Sequence, residues 1–374
     1  MTLIRLGRLP VADFMRRYWQ KKPVVLRAAL PDFVPPIAPP RLFQLAARAD
    51  VESRLVTSFD GWRLRHGPFA RLPARTRARW TLLVQGVDAH DEGAAALLQG
   101  FRFVPDARLD DLMVSYASDG GGVGPHVDSY DVFLLQAQGR RRWRVSRQRD
   151  RALVPGLPLE ILAGFKPTAE WVLEPGDVLY LPPGVAHEGV AAGGDCVTYS
   201  IGFRSPAWAE LIDPLLDTLG ERHRPPGRYR DPAQPATATP ARLPPALVDA
   251  AGRHFARLLP TRADVVRTLL VSQSEPKPSI VFERPRRPLP AAQFETAARR
   301  RGVTLDRRTR LLYDTRAAAI NGEVIDRAHT GGWALHTLAD RRKLSAVSLA
   351  RARVAWPALH AWYVAGWLHL GSEP

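Results

Sequence analysis

Cysteine and lysine are scarce in this sequence. The chain of 374 residues contains one cysteine, Cys196, so it can form no intrachain disulfide and no cysteine-based zinc site. We interpret this as the composition of a protein from a reducing compartment. Only five of the 53 basic residues are lysines, so arginine carries most of the net charge of +16.

Long apolar runs are absent as well. No stretch approaches the roughly 18 uninterrupted apolar residues of a transmembrane helix, and the first ten residues lack the apolar segment of a secretory signal. We therefore expect a cytoplasmic protein without membrane contact. The positive charge leaves two interpretations open. It indicates either a surface for a polyanion such as RNA, or the arginine bias of a GC-rich genome.

Prolines and short apolar runs divide the chain into three predicted parts. Residues 1–206 combine short helices and strands with closely spaced strand-like segments after residue 110, a pattern typical of a β-sandwich or barrel. Residues 207–274 have helical periodicity. Residues 275–374 predict helices around a hairpin at Asn321-Gly322, which resembles a winged-helix module. The sequence therefore predicts an α+β fold.

The β-rich region contains seven predicted strands, each bounded by turn-forming residues. They are Asp111–Tyr116, Asp131–Gln136, Arg141–Val145, Trp171–Leu173, Val178–Leu181, Gly189–Ala192 and Cys196–Phe203.

The segment Gly120-Gly-Gly-Val-Gly-Pro-His126-Val-Asp128 holds a pair of metal-binding residue types. Side chains alternate with period two in an extended chain, so His126 and Asp128 share one face and offer a metal two adjacent ligands. His187 is the only histidine that follows within the β-rich region. These three residues predict a facial triad, which leaves coordination positions open and suits non-haem Fe(II).

A second predicted functional residue lies on the strand that follows this pair. Period two places Arg141, Trp143 and Val145 on one face, and the two apolar members mark that face as the inner one. Arg141 is therefore the candidate for holding a carboxylate, because arginine binds carboxylates through two parallel hydrogen bonds. Hydroxyl groups are expected from neighbouring strands, at Ser115 and at Thr198 or Tyr199.

These runs, together with Glu174-Pro-Gly-Asp-Val-Leu-Tyr-Leu-Pro-Pro-Gly-Val-Ala-His187, resemble the JmjC-type ribosomal oxygenases. They are most similar to the bacterial branch, which hydroxylates an arginine side chain of large-subunit ribosomal protein L-sixteen. The resemblance covers the whole chain. It implies a double-stranded β-helix core (jelly-roll, cupin, JmjC) over residues 1–206, a helical dimerisation region over 207–274 and a winged-helix-like domain over 275–374.

The resemblance also implies the roles of individual residues. The iron ligands of the family fall on His126, Asp128 and His187, and its 2-oxoglutarate-binding residues fall on Arg141 and Ser115. The implied reaction is that of a dioxygenase, which uses Fe(II), 2-oxoglutarate and O2 and releases succinate and carbon dioxide. The implied assembly is a homodimer.

The implied substrate is itself basic, so a carboxylate is expected near the metal. Asp119, beside the glycine-rich segment, is the first candidate, and Asp131 and Glu188 are alternatives. A structural hydrogen-bonding role is open for the latter two.

Two rival functions stay open. One is a related JmjC oxygenase that hydroxylates histidine in another ribosomal protein. The other is a non-enzymatic cupin-type protein that binds RNA or the ribosome. The C-terminal module has basic residues at Arg341-Arg342-Lys343 but no evident base-reading set, so sequence-specific DNA binding is not expected.

Overall fold

The computed structural model describes residues 4, 6–222, 226, 228–232, 235, 241–325, 332–351 and 355–371. The N-terminal part contributes three helices and four strands. In chain order these are α1 (Val11–Arg17), β1 (Val24–Leu26), α2 (Pro39–Ala46), β2 (Ser53–Thr57), β3 (Arg63–His66), β4 (Trp80–Val84) and α3 (Glu92–Gln99), with a 3-10 turn at Val87–Ala89.

Local sequence explains where these helices begin. Two prolines open α2, where a missing backbone N–H costs no hydrogen bond. Asp91 caps α3, because its carboxylate accepts a hydrogen bond of 2.9 Å from the backbone N–H of Ala94.

Eight strands form the core of the β-rich region. They are β5 (Leu109–Ala117), β6 (His126–Val127), β7 (Asp131–Gln138), β8 (Arg141–Ser146), β9 (Ala169–Leu173), β10 (Val178–Leu181), β11 (Ala186–Ala191) and β12 (Cys196–Phe203).

These strands form two antiparallel sheets. The larger sheet has the order β1-β10-β7-β12-β5-β4-β2-β3, and the smaller has the order β6-β11-β8-β9. Core strands that follow each other in sequence thus alternate between the two sheets, except for β8 and β9, which are neighbours in the smaller sheet. This is the winding of a double-stranded β-helix. The predicted fold of this region is confirmed.

The extended segment predicted at His126 is the short strand β6. The sequence-based strand assignment needs two corrections. The strand predicted at Gly189–Ala192 begins at Ala186, so it contains His187. Strands β2 and β3 were not predicted, because arginines interrupt any apolar alternation in them.

Two apolar layers stabilise the β-helix. One lies between the larger sheet and the N-terminal helices and includes the fully buried rings of Phe14, Trp80 and Phe133. The other lies between the two sheets and includes Leu134, Trp143 and Leu179. The second layer is smaller, and two of its residues, Leu134 and Trp143, also line a cavity between the sheets.

Three helices follow the β-helix: α4 (Trp208–Arg222), α5 (Pro245–Phe255) and α6 (Arg262–Ser274), with a 3-10 turn at Ala256–Leu258. Thr261 and Asp264 form a capping box at the start of α6. No helix in the described ranges is long and apolar enough to span a bilayer.

The C-terminal part has its own apolar core, which includes Phe294, Leu338 and Trp362. Its elements are α7 (Ala291–Arg301), β13 (Val303–Leu305), β14 (Leu311–Tyr313), β15 (Ala318–Ile320), β16 (Glu323–Ile325), α8 (Gly332–Arg341), β17 (Lys343–Leu344), α9 (Ala346–Arg351), α10 (Trp356–Ala365) and β18 (Leu368–Leu370). The hairpin predicted at Asn321-Gly322 joins β15 to β16. The winged-helix interpretation and the three domain boundaries stay predictions.

Charged side chains join the C-terminal part to the first residues of β5. The ammonium group of Lys277 lies 3.1 Å from Asp110 Oδ1 and 2.9 Å from Asp111 Oδ2. The Arg310 guanidinium donates a hydrogen bond of 2.8 Å to the backbone carbonyl of Asp110. The same strand carries Ser115 further along, so this junction and one of the predicted ligand-binding residues share one element.

Candidate metal centre

His126, Asp128 and His187 converge at one point between the sheets. Strands β6 and β11 pair so that His126 and His187 lie directly opposite each other, and their ring centroids are 4.3 Å apart. The Asp128 carboxylate lies 3.5 Å from His187 Nε2 and 3.9 Å from His126 Nε2. One ligand atom from each residue lies within 4.8 Å of the others, so a single metal ion can contact all three.

Backbone carbonyls orient both imidazole rings. His126 Nδ1 is 2.9 Å from the carbonyl oxygen of Gly124, and His187 Nδ1 is 3.0 Å from that of Val185. A hydrogen bond from Nδ1–H to each carbonyl leaves Nε2 with its lone pair directed at the centre, as metal binding requires. Gly124 has a φ of +80°, and a Cβ there would lie 2.9 Å from the Ile161 side chain, so this position requires glycine.

Burial keeps one of the two histidines neutral. Burial, with the nearby His126 as a second cause, lowers the pKa of His187 to about 4, against an opposing contribution from Asp128. At neutral pH its imidazole is therefore unprotonated and available as a ligand.

The triad lines a cavity of about 340 Å³ that both sheets enclose. Its wall combines apolar side chains with a few polar ones, as ligand sites usually do. Besides the triad, the wall includes Thr81, Met113, Ser115, Tyr130, Val132, Leu134, Arg141, Trp143, Glu160 and Ser200.

Arg141 is the clearest polar feature of the cavity wall. Its side chain is 6% exposed, and its Nε and Nη2 atoms have no hydrogen-bond partner. Burying unpaired donors is costly, and these two atoms form one edge of the guanidinium that binds a carboxylate through two hydrogen bonds. The structure thus places two unpaired guanidinium donors in the same cavity as the triad.

Ser115 also lines the cavity, on β5, and its hydroxyl is 3.4 Å from the carbonyl oxygen of Thr198. The other two hydroxyl candidates are used elsewhere. Thr198 donates to the Gln136 side chain, and Tyr199 bonds to the backbone of Ile37 on the far side of the sheet.

Five polar residues of the wall were missed from the sequence: Arg54, Thr81, Tyr130, Glu160 and Ser200. The period-two alternation could have found Tyr130, since it continues the series of His126 and Asp128. Burial and the Asp128 carboxylate raise the pKa of Tyr130, so its hydroxyl stays protonated and can donate a hydrogen bond.

The structure does not bring Asp119 or Asp131 to the cavity wall. Asp119 is exposed and accepts a hydrogen bond of 2.8 Å from the backbone N–H of Gly193. Asp131 is fully buried and accepts hydrogen bonds from Tyr180 and Arg108 at 2.6 and 3.2 Å. Both carboxylates therefore serve local structure in these positions.

Glu188 also points away from the cavity. It follows His187 on β11, so its side chain is on the opposite face, where it accepts a hydrogen bond of 2.8 Å from Arg144 on the neighbouring strand. Among the acidic residues of the described chain, those on the cavity wall are Asp128 and Glu160.

Comparison with known proteins agrees with this geometry. A family model described as the JmjC domain matches residues 96–211. The chain is 44% identical over 239 residues to the ribosomal protein uL16 3-hydroxylase of Escherichia coli, an alignment that covers 63% of this chain and 64% of that protein. It is 27% identical over 240 residues to a bifunctional lysine-specific demethylase and histidyl-hydroxylase NO66 of Aedes aegypti, covering 54% of this chain and 35% of that one.

Solved structures match over nearly the full length. The X-ray structure of E. coli ycfD superposes with a TM-score of 0.86 at 35% identity and covers 97% of this chain and 98% of its own. A structure of the ribosomal oxygenase YcfD from Escherichia coli in complex with cobalt and 2-oxoglutarate gives a TM-score of 0.82 at 34% identity, with the same coverage.

A double-stranded β-helix with a His-Asp-His cluster between its sheets defines a metal-binding domain of the cupin type. The match over nearly the whole length of both chains narrows this class to one family. This chain belongs to the family of JmjC-type ribosomal oxygenases.

Proposed function

We propose that this protein is an Fe(II)- and 2-oxoglutarate-dependent hydroxylase that acts on an arginine side chain of ribosomal protein L-sixteen (uL16). The observation that carries the proposal is a single cavity that holds both the triad and the buried, unpaired guanidinium of Arg141. The similarity to the E. coli uL16 3-hydroxylase supports the choice of substrate.

The residues present fit the metal and the cosubstrate. His126, Asp128 and His187 would hold Fe(II) on one face and leave the remaining positions for 2-oxoglutarate and O2. Arg141 and Ser115 would hold the distal carboxylate of 2-oxoglutarate. When bound, iron and 2-oxoglutarate supply the oxidising chemistry, which the protein directs at one substrate carbon.

The residues around the metal and the cosubstrate would bind them, orient them and exclude water. The Asp128 carboxylate would offset part of the metal charge. The two imidazoles are held by backbone carbonyls, so neither ring would have to reorient on metal binding. Val132 and Leu134 cover the cavity from the larger sheet and exclude water from it.

Glu160 is the carboxylate that we assign to the incoming cationic substrate. It lies on the cavity wall, is exposed, and has no hydrogen-bond or ion-pair partner among the described residues. The earlier candidates Asp131 and Glu188 form ion pairs with Arg108 and Arg144, whereas Glu160 has no such partner among the described residues. Glu160 can therefore attract a guanidinium in a protein whose net charge is +16.

The two rival functions are less well supported. Histidine hydroxylation rests on the more distant similarity to the Aedes aegypti protein. A non-enzymatic RNA-binding cupin would have no use for a buried, unpaired arginine in the metal cavity.

The helical region supports a homodimer. Trp208 is 79% exposed, Phe255 67% and Leu259 73%, and exposed apolar side chains that form one patch mark an interaction surface. We infer that a second copy of this chain covers them. The two-fold symmetry of such a dimer would bring the same helices of both copies together.

We further propose a cytoplasmic location, because the substrate is a ribosomal protein. The winged-helix-like part over residues 275–374 would serve assembly or substrate engagement, and the arginine-rich surface would contact ribosomal RNA or a pre-ribosomal particle.

Mass spectrometry of ribosomal proteins tests the proposed reaction. The purified protein is incubated with Fe(II), 2-oxoglutarate and unmodified uL16. The wild type should add one oxygen to an arginine, the His126→Ala variant should add none, and His66→Ala, a change on the exposed strand β3, should behave as the wild type. Oxygen on a histidine would favour the first rival, and no modification of any ribosomal protein would overturn the proposal.

A further inference from the structure

Trp143 contributes a third unpaired hydrogen-bond donor to the cavity that holds Arg141. Its indole Nε1 is buried without a partner, its side chain is 4% exposed, and it lines the cavity. Arg141 and Trp143 lie two positions apart on β8 and therefore on the same face. The Arg141 guanidinium carbon is 5.6 Å from the centre of the indole ring.

Strand pairing places Trp143 between the carboxylate-binding arginine and the metal. On β11, Ala191 lies opposite Arg141, Gly189 opposite Trp143, and His187 opposite Val145. A bound molecule that extends from the metal at His187 to the guanidinium of Arg141 must therefore pass next to Trp143. The ring centroids of Trp143 and His187 are 6.0 Å apart.

Gly189 fixes the orientation of the indole. A Cβ at this position would lie 2.6 Å from Cζ3 and 2.7 Å from Cη2 of Trp143. The benzene edge of the indole is thus seated against the glycine backbone, and the opposite edge, which carries Nε1–H, is turned away from β11. Burying an N–H group without a partner is unfavourable, so this orientation is best explained by a ligand that accepts its hydrogen bond.

We propose that the indole N–H of Trp143 donates a hydrogen bond to an oxygen of the bound 2-oxo dicarboxylate and that Gly189 positions the ring for it. This inference rests on the proposed function. Three donors on one face of β8 would then serve one dianion: the two guanidinium nitrogens and the indole nitrogen. Trp143 is in this sense a cosubstrate-binding residue, and Gly189 is a positioning residue.

The experiment separates the N–H group from the aromatic ring. Trp143→Phe removes the donor and keeps an apolar ring, and Trp171→Phe is the matched control, because Trp171 pairs with Trp143 on β9 but does not line the cavity. Calorimetric titration with 2-oxoglutarate is carried out on the Zn(II)-loaded protein, which cannot turn over. Trp143→Phe should weaken 2-oxoglutarate binding about tenfold, and the control should bind as the wild type.

Nuclear magnetic resonance gives a readout that does not depend on the variant folding. In ¹⁵N-tryptophan-labelled wild type, Mn(II) at the triad should broaden the Trp143 indole signal most strongly, which assigns it. In the Zn(II) form, 2-oxoglutarate should shift this signal downfield. A signal that stays in place, or a Trp143→Phe variant with wild-type affinity, would overturn the inference. Wild-type protein that binds no 2-oxoglutarate would overturn the proposed function instead.

Discussion

Trp143 and Gly189 face each other across strands β8 and β11, and the absence of a side chain at residue 189 is what gives the indole its place in the cavity. Gly189, which has no side chain, thus controls the position of the indole N–H group of Trp143. The same dependence on backbone pairing holds for His126 and His187, which are opposite each other on β6 and β11.

Gly189→Ala should therefore reduce both 2-oxoglutarate affinity and stability. The added methyl group would overlap with the indole at 2.6–2.9 Å, and overpacking of this kind typically costs about 1–3 kcal/mol. Thermal unfolding and calorimetry measure the two effects. Gly194→Ala is the control, because a Cβ there meets nothing within 4 Å. Equal behaviour of the two variants would contradict the packing argument.

Arg141→Lys should weaken 2-oxoglutarate binding at least about tenfold and leave metal binding intact. Lysine keeps the positive charge but cannot make two parallel hydrogen bonds to a carboxylate. The matched control is Arg142→Lys, since Arg142 is exposed on the other face of β8. Titrations with Zn(II) and then 2-oxoglutarate separate the two ligands. If Arg142→Lys had the larger effect, the assignment of the inner face would be wrong.

Asp88→Asn should stabilise the protein at alkaline pH. Burial, with the Asp111 charge as a second cause, raises the pKa of Asp88 to about 7 from an ordinary value of 3.8. The folded state therefore holds a proton that the unfolded state releases between these values, so the free energy of unfolding of the wild type falls as the pH rises from about 4 to about 7.

An asparagine at residue 88 keeps the acceptor for the backbone N–H of Leu112, now at 2.9 Å, and does not titrate. We expect it to raise the free energy of unfolding by roughly 1–3 kcal/mol at pH 8 and to change little near pH 4. Urea unfolding across this pH range, with Asp249→Asn on the exposed side of α5 as control, provides the measurement. A benefit that does not depend on pH would rule out this origin.

Phe255→Asp should convert the proposed dimer to a monomer. The side chain is 67% exposed in the single chain, and burying a carboxylate in an apolar interface is strongly unfavourable. Light scattering coupled to size-exclusion chromatography reports the mass. Val347→Asp, at a residue that is 60% exposed in the C-terminal part, should leave the mass unchanged. A monomeric wild type would refute the dimer.

Binding to ribosomal particles should weaken steeply as salt is raised. Contacts between arginines and phosphates release counterions, and several such contacts lower affinity by orders of magnitude between about 50 and 200 mM salt. Sedimentation of the protein with ribosomal particles over this range measures the slope. Affinity that does not change with salt would mean that the basic side chains behind the net charge of +16 do not contact RNA.

The triad and Arg141 could be predicted because short-range rules define them. The His-x-Asp spacing and the alternation of strand side chains need no knowledge of the tertiary fold. The same alternation, applied to the neighbouring residues, would have excluded Asp131 and Glu188 from the cavity wall. The inward series runs through His126, Asp128 and Tyr130, so Asp131 is out of phase with it, and Glu188 is out of phase with His187.

Other parts of the site depend on long-range pairing that the sequence does not show. Thr81 lies on β4, which joins the larger sheet only through its pairing with β2 and β5. Glu160 belongs to the irregular segment between β8 and β9, where no periodicity fixes the direction of a side chain. Its place on the wall follows from the packing of Ile161 against Gly124 beside the metal ligands.

The junction at the start of β5 has a consequence for how this protein can be divided. Lys277 lies against Asp110 and Asp111, so a chain cut before residue 275 would lose that cation and leave two adjacent carboxylates in partly enclosed positions. The strand they begin also supplies Ser115 to the cavity. The C-terminal part therefore helps to stabilise the β-helix, and a shortened chain would not reproduce the properties of the full-length enzyme.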